Sequence, residues 1–344
     1  MIILFAALML MIILGLRYHK DGINPSYISK NNTQPIKGIF VVIVFLSHVR
    51  TYAAYEHFTD IFVINCLNYL GQLMVALFLF YSGYGICEAI KAKGKKYVDS
   101  IPLKRVGSTF IDFAFAVCLF IALNYCFGKT YSLNHILLSF TGWVSVGNSN
   151  WYMFAIFALY LLTYVSFKLC KTDMLKSIIV FSVLSLIYVY VLSRVQPSRF
   201  SNTALCYTAG MWFSYFKAHI DGLFQSKRFI YYIIAFAIIA FYFVAYPYKG
   251  VRIMYFNGVS ILFSLSIVFV SMKFSLQNKV LTWFGDHLFW VYILQRLPMI
   301  VLKNTGFAQS SPYMFLFVTF LITVIASYYV NIFMTNIKKK IYGY

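Results

Sequence analysis

Long apolar runs, separated by short loops that hold most of the charge, constrain this chain more than any motif does. A helix needs about 20 apolar residues to cross a roughly 30 Å hydrocarbon layer. A scan for that length finds eleven segments, near 1–16, 38–55, 69–90, 107–127, 149–168, 177–193, 200–216, 229–247, 252–272, 280–302 and 312–336. Of 344 residues, 61% are hydrophobic and 11% charged, which excludes an ordinary soluble domain. The expected fold is an all-α polytopic membrane protein, a bundle of about 10–11 transmembrane helices. Segment 1–16 is short but lacks the basic flank and cleavage site of a signal peptide, so it is read as a helix. Segment 200–216 is the most polar of the eleven, with Ser201, Asn202 and Thr203 at its start.

The formal charge is +20, yet the cations sit in short loops rather than on one basic face, which argues against a nucleic-acid partner. They read instead as topology signals and contacts for membrane lipids. Loops 17–37, 91–105, 168–176, 217–228 and 273–279 and the tail 338–340 hold 21 of the 29 lysines and arginines. The other eight are Arg50, Lys129, Arg194, Arg199, Lys249, Arg252, Arg296 and Lys303. This bias places the first set and the carboxyl terminus in the cytoplasm and the amino terminus outside. An odd number of crossings agrees. The six cysteines show no C-x-x-C spacing, and neither a disulfide nor a metal site is expected. Residues 1–33 are read as an extra amino-terminal helix and loop ahead of a membrane domain spanning 34–344.

Polar residues inside apolar runs are the candidates for chemistry. "KGIFVVIVFLSH" puts His48 eleven residues beyond Lys37, which is roughly 16 Å into the layer. Charge is costly at that depth, so a neutral imidazole is expected, either as an interhelical hydrogen-bonding group or as a general base. By the same rise, Ser82 in "LFYSGYGICEAIKAK" lies about 12 Å from the basic end of its helix, and Asp112, Asp286 and His287 about 8–10 Å from theirs. All five are therefore expected in one layer. Asp112 reads as an ion-pair partner of Lys104 or Arg105, Asp286 and His287 equally as helix-entry or active groups, and Gly85 as a packing residue. The "KAKGKKY" stretch with Lys104 and Arg105 forms a collar suited to lipid headgroups or the phosphates of a nucleotide-like molecule. On the other face, "GNSNWYMFAIFALYLL" offers Asn150, Trp151 and Tyr152, with Arg50 on the same side. These read as interface anchors or as amide and aromatic contacts to a sugar ring.

With these pieces placed, the chain resembles the membrane acyltransferase 3 family, the O-acyltransferases of bacterial surface polysaccharides. The resemblance runs from about residue 34 to 335 and rests on "KGIFVVIVFLSH", "VALFLFYSGYGI", "NSNWYMFAIFALYLL" and "FGDHLFWVYILQR", in that order. It implies ten core helices in the bacterial cytoplasmic membrane, with segment 1–16 as an addition. It also implies transfer of an acyl group, most often acetyl, from acyl-CoA to a glycan hydroxyl, with no permanently bound cofactor. The essential histidine falls on His48 and the serine-glycine on Ser82 and Gly83, Ser82 being the lesser candidate for a catalytic role. Lys37 stands where arginine is common, which keeps the charge without the bidentate fork. A basic pair is matched loosely by Lys104 and Arg105, and with Lys37 these are the expected donor contacts. Gln295 stands where the "VYIL" helix often continues to histidine, so it carries no expected catalytic weight. The alternative is a carrier or flippase for a lipid-linked saccharide, although no internal repeat supports it.

Overall fold

The computed structural model describes residues 1–20 and 22–342. Two three-residue strands, β1 (Leu16–Tyr18) and β2 (Phe274–Leu276), pair antiparallel with Arg17 opposite Ser275; the remaining elements are helical. From the amino end, α1 (Ile2–Gly15) leads through β1 to α2 (Lys30–Val49). The short α3 (Phe58–Leu70) precedes α4 (Leu73–Lys93). Next, α5 (Lys95–Ser100), a π-helical stretch (Ile101–Gly107) and α6 (Ser108–Cys126) make one 32-residue rod. Then come α7 (Leu133–Phe140), α8 (Trp151–Leu169), α9 (Met174–Val195), α10 (Leu205–Ser226), α11 (Arg228–Ala245) and α12 (Ile253–Lys273). The expected segment 280–302 is three pieces, α13 (Lys279–Asp286), α14 (Leu288–Leu294) and α15 (Arg296–Asn304). The small α16 (Phe307–Ser310) and the long α17 (Pro312–Tyr342) complete the chain.

Among the described residues, eight helices or rods are long and apolar enough to cross a membrane, as expected of a polytopic α-helical protein. Three of the expected segments reach the count differently. At 14 residues α1 is short, α10 is long but polar, and 280–302 is broken. The second break has a clear cause in Pro298: its ring removes a backbone N–H and crowds the carbonyl of Leu294, where α14 ends. Large apolar side chains remain exposed around the outside, such as Phe229, Phe236 and Phe241 on α11, where lipid is the natural neighbour.

Contacts bring all six Lys/Arg-rich segments to one face. The β1–β2 pair joins 16–18 to 274–276, and Lys273 Nζ donates to Gly22 O at 2.7 Å. Tyr27 Oη donates to Asp221 Oδ1 at 2.9 Å, tying the first loop to the end of α10, and Lys91 Nζ donates to Ser214 O nearby. Lys168 pairs with Asp99, and Lys338 with Asp112, at 2.5 Å each. That last pair replaces the expected bond from Asp112 to Lys104 or Arg105, because the end of α17 packs beside the start of α6. The opposite face is held by Arg50 on Ile64 O, Tyr246 on Tyr69 O, Asn202 on Gln72 and Arg296 on Gly147 O.

Two helix crossings fix the interior. A Cβ on Gly38 would stand 1.9 Å from Leu281 O, and one on Gly285 2.0 Å from Gln34 O, so α2 and α13 touch backbone to backbone. Gly83 and Gly210 make the same reciprocal contact between α4 and α10, at 2.0 Å from Tyr207 O and 2.1 Å from Phe80 O. Only glycine permits such an approach. Gly85, expected to pack, instead faces open space.

Candidate active site

Two cavities approach each other through the bundle from opposite faces. The one on the basic face, about 360 Å³, is lined by Gln34 and Lys37 of α2, Ser82 and Gly85 of α4, Arg105, Tyr152 and Tyr160 of α8, and Asp286. Lys37 Nζ lies 5.5 Å from the Tyr81 ring centre, a cation–π distance. Arg105 Nε donates to Tyr97 Oη at 2.7 Å, and Gln34 Nε2 donates to Asp286 Oδ1 at 2.7 Å. Ser82 shares this cavity with the Tyr152 and Tyr160 side chains. A neighbouring cavity of about 350 Å³ shares Lys37, Tyr81 and Gly85 and adds Lys30 and Glu88. A third, of about 650 Å³, shares Asp286 and adds Asn31, Asn32, Gln277, Asn278 and Lys279. Together they give the basic face an extended, cationic and amide-lined recess.

The cavity on the other side is smaller, about 240 Å³, and is lined by Ser47 and His48, Gly71 and Gln72, Trp151 and Tyr292. Here the structure revises the expected depth of His48. The polar "KNNTQP" stretch belongs to α2, which starts at Lys30 and continues through Pro35. His48 is therefore eighteen residues from the basic end of its helix, about 27 Å along it, and one residue from the other end. Ser82 lies near the middle of α4 and opens into the other cavity. The single layer expected of His48, Ser82, Asp112, Asp286 and His287 does not form. Asp112 is in the Lys338 ion pair, and His287 stacks on Trp283 at 4.2 Å with Nδ1 2.9 Å from its carbonyl oxygen.

The partition between the two cavities is a pair of tyrosines. Tyr152 lines the Lys37 cavity and Tyr292 the His48 cavity, and their rings meet edge to face with centres 5.6 Å apart.

A family model described as an acyltransferase domain matches residues 36–332. The chain belongs to the acyltransferase 3 family. No curated protein and no solved structure matches it. The chain is thus a multi-pass membrane acyltransferase.

The geometry distributes the expected site residues of this acyltransferase unevenly. Lys37, Ser82, Arg105 and Tyr152 share the basic-face cavity, while His48 and Trp151 share the other. Lys104 is exposed on the π-helical stretch and is not among the lining residues. The Asn150 side chain is buried and donates to Gly142 O at 2.7 Å. Arg50, at the end of α2, reaches Ile64 O at 3.5 Å.

Sequence reasoning gave no weight to two residues in the neighbourhood of the imidazole. Gln295, fully buried at the break between α14 and α15, faces His48, and the Arg296 guanidinium is close enough to act on it electrostatically. The three contribute three buried polar atoms with no hydrogen-bond partner of good geometry: His48 Nδ1, Gln295 Oε1 and Arg296 Nε. Three such atoms on neighbouring side chains leave hydrogen-bonding capacity for a bound group. The signal in the sequence was Pro298, which breaks the helix at the position that turns Gln295 inward.

Proposed function

We propose that this acyltransferase moves an acyl group, of which acetyl is the reference case, from acyl-CoA to a hydroxyl of a cell-envelope glycan. The observation that carries the reading is the meeting of two unlike cavities at the Tyr152–Tyr292 pair. A coenzyme A thioester is long and polyanionic, and the extended recess with Lys30, Lys37, Arg105 and Lys279 offers it length, positive charge and amide groups. An acceptor hydroxyl needs a proton acceptor, and His48 opens into the opposite cavity beside the flat surface of Trp151.

In this scheme the donor arm enters from the basic face and presents its thioester at the tyrosine pair. His48 takes the proton of the acceptor hydroxyl, whose oxygen attacks the thioester carbonyl. The C–O ester bond forms, the C–S bond breaks, and the leaving thiolate takes up the proton. Ser82, on the donor side with Tyr152 and Tyr160, orients the donor. The positive-inside bias puts the basic face in the cytoplasm, where acyl-CoA is available, and the His48 cavity toward the exterior of a bacterial inner membrane.

The test is purified protein in detergent, supplied with acetyl-CoA and a glycan fraction from the producing cells. Appearance of free thiol together with new ester signals in the glycan NMR spectrum is expected. An intact thioester would overturn the reading in favour of a saccharide carrier.

A further inference from the structure

The unpartnered atoms around His48 suit one another. Gln295 Nε2 donates to Tyr292 O at 2.8 Å, which fixes the orientation of the carboxamide and leaves Oε1 as its free end. That oxygen is buried and unpartnered, and so is His48 Nδ1. Both segments flanking Gln295 pack on α2, and Tyr292 shares the cavity with His48, so the carboxamide and the imidazole are neighbours; the two free atoms have no hydrogen bond of good geometry between them, and such a bond tightens as substrate binds. The other ring nitrogen, Nε2, is not among the buried unpartnered atoms, and His48 lines the cavity.

We propose that Gln295 is the positioning residue of His48: its carboxamide oxygen accepts the Nδ1 proton, which leaves Nε2 unprotonated and directed into the cavity. The proposal rests on the general-base reading of His48 given above. A neutral imidazole has two tautomers, and only the one with a bare nitrogen facing the acceptor can take its proton. An acceptor-only oxygen on the far nitrogen selects that form. Glutamine does this without adding charge, whereas a carboxylate in its place would favour imidazolium. The charged group facing the pair is Arg296 from α15, and the phenol of Tyr292 faces it from α14.

The backbone supports the arrangement. Because Pro298 ends α14 at Leu294, Gln295 sits at a helix junction, and its side chain returns to the carbonyl three residues earlier. That return fixes the carboxamide without a partner from another helix, and Oε1 stays available for the imidazole.

The experiment compares Gln295→Leu, Gln295→Glu and His48→Ala with the parent as monodisperse detergent preparations, using acetyl-CoA and the glycan fraction. It measures kcat, donor KM and the pH profile. Gln295→Leu should lower kcat by about 10- to 100-fold, part of the 10²–10⁴ that a well-placed base contributes, with donor KM unchanged. Gln295→Glu keeps the acceptor atom, so it should retain kcat within a few-fold on its plateau. Its acid limb should move up by about one pH unit or more, because the carboxylate stabilises imidazolium. A purely structural glutamine would not move that limb. Parental kcat in Gln295→Leu, or an unmoved limb in Gln295→Glu, overturns the proposal while an inactive His48→Ala leaves the general-base reading standing. If His48→Ala transfers acyl groups normally, the reading and the proposal fall together.

Discussion

The Lys37 cavity and the His48 cavity meet at one pair of tyrosines but leave their polar groups open to different degrees. On the basic side Arg105 is bonded to Tyr97 and Gln34 Nε2 to Asp286, and one buried lining atom, Gln34 Oε1, has no partner. Around His48, three buried polar atoms have no partner of good geometry. Groups that hold a ligand by charge work while paired, since a cation bonded to a neutral hydroxyl keeps its field. A proton acceptor needs a free lone pair on the nitrogen that faces the substrate, with its other partners held inside the protein. The difference separates a binding side from a reacting side, and variants on each should separate kinetically.

The largest effect should come from removing the frame both sides share. Gly210→Ala or Gly83→Ala drives a Cβ into the facing helix backbone, so α4 and α10 must part. A loss of about 1–3 kcal/mol or more is expected, seen as a lower melting temperature in detergent and lost activity. Gly85→Ala, with nothing near the new methyl, should melt with the parent. A change confined to the donor side comes next. Lys37→Ala should raise donor KM by about tenfold with kcat nearly kept, and added salt should weaken donor binding by the parent in the same direction. Equal losses in kcat and kcat/KM would move Lys37 to the reacting side and blur the contrast. The smallest effect is expected for Ser82→Ala, a few-fold in donor KM, worth about 1 kcal/mol for one hydroxyl among tyrosines. Loss of all turnover in that variant would make Ser82 a participant in the chemistry.

The spans and the gathering of basic loops on one face were legible because length, apolarity and charge act segment by segment, without knowledge of neighbours. Helix limits were less so. The polar start of α2, with Pro35 inside it, looks like a loop, yet its side chains find partners in other segments, as Gln34 does in Asp286. That misplaced His48 by a third of a helix and grouped it with Ser82. Gly83 and Gly85 are indistinguishable in "SGYG"; only the position of α10 decides which one packs. Gln295 escaped for a related reason. Its importance lies in facing His48 across the bundle, and the local sign of it, Pro298, marks a break without saying what the break exposes.

The most direct test of the two-sided account measures donor binding and acyl transfer together on His48→Gln, with the parent at matched expression. Coenzyme A binding, followed by calorimetry on the purified protein, should match the parent because the basic-face cavity is untouched. Transfer to the isolated glycan should fall by about 10²- to 10⁴-fold, since glutamine keeps polarity but cannot take the proton. Transfer near the parental level would contradict the account and leave His48 a packing residue.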